Sequence, residues 1–155
     1  MAAITGLPLH VLDKIQFRPG GAAVPYEEYV HAHAAVLNSN EWIIDGFGCN
    51  KIVWERLEAA DTLIHVDLPL AVHALWVTKR LAKGLFVTPA GWPEGSPVIS
   101  SSISSYRVLW PCHSRLTPKY RSYLSEAAQR KRIFHLRSRR ELTLFLETMK
   151  NEFGS

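Results

Sequence analysis

The chain has 155 residues, 47% of them hydrophobic and 21% charged, which is the size and apolar content of one globular domain and excludes a disordered segment. Lys and Arg outnumber Asp and Glu by 18 to 14, a mild excess of +4 that suits nucleotide phosphates as well as a nucleic-acid backbone. Cys49 and Cys112 lie far apart and outside any CxxC pair, so neither a disulfide framework nor a structural zinc site is indicated and a reducing cytoplasm is expected. The N-terminus lacks a basic-then-apolar leader and no apolar run approaches the roughly 20 residues of a membrane span, so neither secretion nor membrane insertion is expected.

Ala2-Ala3-Ile4-Thr5 runs into Gly6 and Pro8, the punctuation of a helix end. The run from Pro8 to Asp13 then reads as a strand, and so do Glu41 to Asp45, Thr62 to Asp67 and Arg132 to Leu136. Continuous apolar runs of this kind suit strands of a parallel sheet buried on both faces. Between them Pro25 opens a helix at Tyr26, where Glu27 and Glu28 suit the positive end of its dipole. Pro69 opens a second from Leu70 to about Lys83, the serine-rich stretch Ser100 to Ser105 begins another through Tyr106 to Trp110, and Thr117-Pro118 opens one reaching about Arg130. Ser138 and Glu141 have the spacing of a capping box before Leu142, Leu144, Phe145, Leu146 and Met149. Strand-then-helix alternation predicts one domain over 1–155, a three-layer αβα fold with a mainly parallel sheet. Gly84 to Pro97 is too dense in Gly and Pro for a regular element, and it reads either as a surface connection or as a flap over a phosphate site.

Asp13, Asp45 and Asp67 each fall at the carboxyl end of a predicted strand, the edge at which open α/β sheets bind ligands. Carboxylates there hold Mg²⁺ through water or accept a proton from a substrate hydroxyl. For Asp67, which precedes Leu68-Pro69, capping of the next helix is the competing role. Gly46, directly after Asp45, lets backbone pass close to a ligand. The histidines are scattered: His31 and His33 diverge around their helix, His10, His65 and His135 lie within strand runs where core or rim histidines are expected, and Cys112-His113 lacks partner ligands. No GxSxG nucleophile elbow is present.

Trp42 to Phe47, followed by Ala60 to Pro69, resembles the third and fourth strands of the adenylate-kinase-like P-loop kinases, in particular the small bacterial adenylate-kinase and topology-modulation proteins. Leu12 to Gly20 is similar to the segment after their second strand, Pro93-Glu94-Gly95 to part of their lid, and His135 to Arg139 to their last strand and adenine loop. The resemblance implies phosphoryl transfer from ATP, with Mg²⁺, to a nucleotide-like small-molecule acceptor. Asp13 and Lys14 would then face the acceptor, with Asp45, Gly46 and Phe47 beside the transferred phosphates, Mg²⁺ on Asp45 and Asp67, and Lys79, Arg80 and Lys83 as lid cations over the loop at 84–97. Arg137, Ser138 and Arg139 would flank the base.

The family opens with a strand and a GxxxxGK[ST] loop, and neither that loop nor its lysine occurs anywhere in these residues. The expectation is a P-loop-like fold missing its first, central strand, the loop and most of the first helix, inactive in this form, with unpaired strand edges that favour a homodimer. The alternative is a non-catalytic interaction or nucleic-acid-binding module using the basic surface around Arg115, Arg121, Arg130, Lys131, Arg132, Arg137, Arg139 and Arg140.

Overall fold

A computed structural model describes residues 1–84, Gly95 and 97–154, so most of the glycine- and proline-rich loop at 84–97 lies outside the described residues. The elements follow in the order α1 (Ala2–Thr5), β1 (Leu9–Val11), α2 (Leu12–Gln16), α3 (Tyr26–Leu37), β2 (Ile43–Asp45), α4 (Val53–Ala59), β3 (Thr62–Val66), α5 (Leu70–Gly84), α6 (Val98–Pro111), α7 (Thr117–Ala127), β4 (Arg132–Leu136) and α8 (Arg139–Phe153). None of these helices is long and apolar enough to cross a membrane. The protein is mixed α/β, with two small parallel sheets: β1 pairs with β2, and β3 with β4.

Several helix ends obey the punctuation of the sequence. Gly6 closes α1 with a left-handed φ of 73°, its N–H bonded to the carbonyl of Ala2. Pro25 stands as N-cap of α3. Ser138 Oγ accepts the Glu141 N–H at 3.1 Å, while a Glu141 carboxylate oxygen accepts the Arg137 N–H at 2.7 Å, so the box at the start of α8 satisfies amide donors that the helix cannot. Within α8 the buried stripe is Phe145 and Met149, one turn apart, while Leu144 is half exposed because a neighbouring position points about 100° away.

Other elements carry weaker signals. The short helices α2 and α4 have no proline or capping box to announce them. At Pro111, which has no N–H to donate, α6 gives way to a π-helical turn over Cys112–Leu116 that runs into α7. Strand β3 departs from burial on both faces, since Leu63 is buried and Ile64 is 39% exposed. Alternation of this kind marks a strand covered on one side.

Contacts divide the chain into two compact units, one from Met1–Ala59 with the stretch from Phe145, the other from residues 60–84 and Pro97–Leu144. In the first, Leu12, Tyr29 and Ile52 form a buried cluster, with Ile15, Val24, Val30, Ile44 and Cys49 packed around it. Leu12 is fully buried, and truncating such a leucine to alanine costs about 2–5 kcal/mol. In the second, Leu63, Leu68, Val77, Leu124, Ala127 and Leu136 are buried. The β3–β4 ladder there is extended at both ends, by Arg132 N–H to the Asp61 carbonyl (2.9 Å) and Asp67 N–H to the Leu136 carbonyl (2.8 Å). Helix α5 is tied to α6 by Arg80 to Ser105 Oγ at 3.2 Å and by a hydroxyl pair, Thr78 with Tyr106.

Gly48, in the loop after β2, is closely enclosed by the core of the first unit. Its φ is 63°, and a Cβ there would run into the Tyr29 hydroxyl and meet Leu12 Cδ1 at 2.9 Å. Left-handed strain alone costs about 1–3 kcal/mol for a non-glycine residue, and the rigid neighbours add to it. Gly48→Ala is therefore expected to lower the stability of this unit by at least about 1–3 kcal/mol, read as a lower urea midpoint; an unchanged midpoint would show that the loop relaxes freely.

Candidate functional site

Two strand ends collect polar side chains, one in each unit. In the first, parallel pairing sets Val11 opposite Asp45. Asp45, exposed, is the last residue of β2, and Asp13, half-buried, lies in the first turn of α2, two residues past the end of β1. Both carboxylates thus stand at the carboxyl end of the same strand pair. Lys14 is exposed beside Asp13. The loop from Gly46 is organised from within by Arg56 of α4, a buried cation that donates from Nη2 to the carbonyls of Phe47 (2.5 Å) and Gly46 (3.3 Å). Gly46 has a φ of 114°, and Phe47 turns its ring outward at 38% exposure.

Tyr29 and His33 lie one turn apart on α3 and are both buried, their rings tilted at 6.2 Å. Burial pushes the Tyr29 hydroxyl pKa up; burial, with Arg56 nearby, pushes the His33 imidazole down. His31, two residues earlier, is exposed, as divergence around a helix requires.

The second cluster lies at the carboxyl end of β3 and β4. His65 and His135 are register partners, and Asp67 follows His65 by two residues, so the pleat brings all three to one face. Each offers one ligand atom, and these atoms lie within 4.8 Å of one another. The Asp67 side chain is only 3% exposed. Arg121, from α7, donates to both of its oxygens, Nε to Oδ2 at 2.6 Å and Nη2 to Oδ1 at 2.9 Å, and His135 Nε2 stands 2.7 Å from Oδ2. The Arg121 fork above all, then the His135 bond, holds the Asp67 carboxyl well below the usual carboxylate range, against the opposing effect of burial.

A short cascade continues from there. Arg137 Nη2 lies 3.3 Å from His135 Nδ1, and because a guanidinium only donates, that nitrogen accepts and Nε2 carries the proton toward Asp67. His65, whose ring meets those of His135 at 5.2 Å and Tyr120 at 5.8 Å, has a buried Nε2 without a hydrogen-bond partner among the described residues. Burial lowers its pKa and keeps it neutral near pH 7. Arg121, His135 and Arg137, with Leu124, Ser125 and Ile133, line an open cleft of about 380 Å³.

The remaining candidates fall on the same unit. Lys79 and Lys83 are exposed on α5, while Arg80 is half-buried and bonded to Ser105. Ser138 caps α8, and the Arg139 guanidinium lies 5.9 Å from the centre of the Trp76 ring. Asp67 serves side chains of α7 and β4 and not the amides of the helix that follows it. Sequence reading overlooked Arg56 and the convergence of His65, Asp67 and His135. The i, i+2 spacing of His65 and Asp67 was a visible signal, but the parallel register that adds His135 was not.

Set against models of known protein families, curated proteins and solved structures, the chain matches none of them.

Arg121→Met would leave a buried carboxylate with one partner. Hydrogen bonds to charged groups contribute about 1.5–3 kcal/mol each, and exposure of half of Arg121 reduces that, so a loss of about 1–3 kcal/mol is expected by urea denaturation at pH 7. Because the folded pKa of Asp67 is depressed, the contribution is complete above the ordinary carboxylate pKa of about 3.9 and disappears as pH falls below it. The gap between parent and variant should narrow below pH about 4; a gap independent of pH would assign Arg121 a packing role.

Proposed function

We propose that this is a nucleotide-binding domain of the adenylate-kinase-like small-molecule kinase class, one that holds nucleotide and acceptor but does not transfer phosphate in the form of these 155 residues. The strand pairing carries the proposal. In the sheet of that class the opening strand stands between the strands that correspond to β2 and β3, and here β1 pairs with β2 and β3 with β4, all parallel, leaving β2 and β3 each with one partner among the described strands. A three-layer αβα fold that lacks the opening, central strand of the class is part of the same proposal.

Asp13 and Asp45 at one strand end support an acceptor and Mg²⁺ site there, Asp45 holding the ion mainly through water. Asp67 has its lone pairs engaged by Arg121 and His135, so it is the poorer Mg²⁺ ligand of the two. Arg137, expected beside the base, lines the basic cleft with Arg121 and His135, which suits an anionic ligand. Lys79, Arg80 and Lys83 remain the candidate lid cations. Without a glycine-rich loop the β- and γ-phosphates lack their backbone cradle, so binding is expected to be weak and turnover absent.

Titration of Mg-ATP, ADP and AMP, followed through Trp42, Trp54 and Trp110 fluorescence, tests the proposal. Saturable binding that weakens at least about tenfold in Asp45→Asn, about 1.4 kcal/mol, is the expected result. No response to any nucleotide, together with oligonucleotide binding that falls steeply with salt, would replace it with the nucleic-acid-binding module.

A further inference from the structure

We propose that His65, Asp67 and His135 form a binding site for a divalent transition-metal ion of the zinc class. Two imidazoles and a carboxylate are borderline donors that suit Zn²⁺, Co²⁺ or Ni²⁺, whereas Mg²⁺ prefers an all-oxygen octahedron. The site is separate from the Mg²⁺ role assigned to Asp45 and does not depend on the kinase proposal.

Three observations carry it. The ligands are positioned by backbone: His65 and His135 are paired across a five-residue parallel ladder, and Asp67 is held at its end by its own N–H bond to Leu136. Tetrahedral zinc with ligand bonds of about 2.0–2.1 Å needs donors roughly 3.4 Å apart, so a set already within 4.8 Å closes by side-chain rotation of at most roughly 1.4 Å. Second, His65 brings a buried ring nitrogen without a protein partner among the described residues, an arrangement that costs free energy until something coordinates or bonds it. Third, the carboxylate has an outer partner that can persist: Arg121 Nη2 on Oδ1 keeps the group oriented once Arg121 Nε, 2.6 Å from Oδ2, and His135 give that oxygen up to the metal.

The hydrogen bonds of the cluster identify what competes. His135 uses Nε2–H to bond Asp67 and accepts Arg137 on Nδ1. To ligate through Nε2 it must move its proton to Nδ1, and the Arg137 guanidinium, a donor facing what is then a second donor, has to turn away. Arg137 thus opposes the proton shift that ligation by His135 requires. It is exposed, so its removal leaves the fold intact.

Co²⁺ and Zn²⁺ titrations of the full chain test the site. One Co²⁺ per chain with the intense visible bands of a four-coordinate N/O site, displaced by one Zn²⁺, is expected. His65→Gln and His135→Gln should each weaken binding at least 10–100-fold, the range seen even for outer-sphere partners, and Arg137→Ala should tighten it severalfold. His113→Ala, which removes an imidazole close to His73 and outside the site, should leave the affinity unchanged. If a ligand variant does not fold, as judged by far-UV circular dichroism, the decision passes to the parent protein, whose His65 and His135 ring resonances should shift with one equivalent of Zn²⁺. Absence of uptake at 100-fold molar excess, unshifted His65 and His135 resonances, full affinity in His65→Gln, or binding lost only in His113→Ala would each overturn the proposal.

Discussion

A buried carboxylate must be answered by donors, and in this protein the answer to Asp67 brings the end of β3 together with two elements much later in the chain. Asp67 ends the β3 segment, His135 comes from β4 and Arg121 from α7. An ionised carboxylate left alone at that depth would cost several kcal/mol or take up a proton. Because Arg121 and His135 meet it with near-ideal geometry, the charge instead fixes the seat of α7 against the strand pair, and the parallel register of β3 and β4 becomes the condition under which every donor is in place.

The first unit uses a comparable device with the signs exchanged. There the buried charge is a cation, Arg56, and the acceptors are main-chain carbonyls of the loop that follows Asp45. A glycine with a positive φ at each of positions 46 and 48 lets the loop fold back closely over Leu12 and Tyr29. The consequence is positional: Asp45 leaves the strand at a defined angle, on the same strand end as Asp13, with its loop braced from beneath.

The two strand ends therefore have different chemical characters. Asp13 and Asp45 make an oxygen-rich, accessible edge suited to a hydrated hard cation and a hydroxylic or phosphorylated ligand. His65, Asp67 and His135 make a nitrogen-containing cluster in which Asp67 and Arg137 set the proton of His135, bordered by the cationic side chains of Arg121 and Arg137. The kinase-like sheet we propose would account for the first edge by its strand order. It does not account for the second, whose imidazole pair arises from the register of β3 with β4.

Much of the secondary structure was legible because local rules decide it: the glycine after α1, the prolines before α3 and α5 and in the first turn of α7, the Ser138–Glu141 box, and the apolar runs that hold the four strands all act within a few residues. So was the divergence of His31 and His33, which follows from helical period alone. Burial of the strands was less legible, since an apolar run is the same whether one face or both are covered, and Ile64 is exposed where Leu63 is not. What only the tertiary structure decided is which distant residues meet. Nothing near Asp67 in sequence announces Arg121, 54 positions on, or His135, 68 positions on, and nothing near Gly46 announces Arg56 as its support. Local propensity depends on a residue and its neighbours along the chain; the partners of a buried charge depend on strand register and helix packing, which exist only once the whole fold has formed.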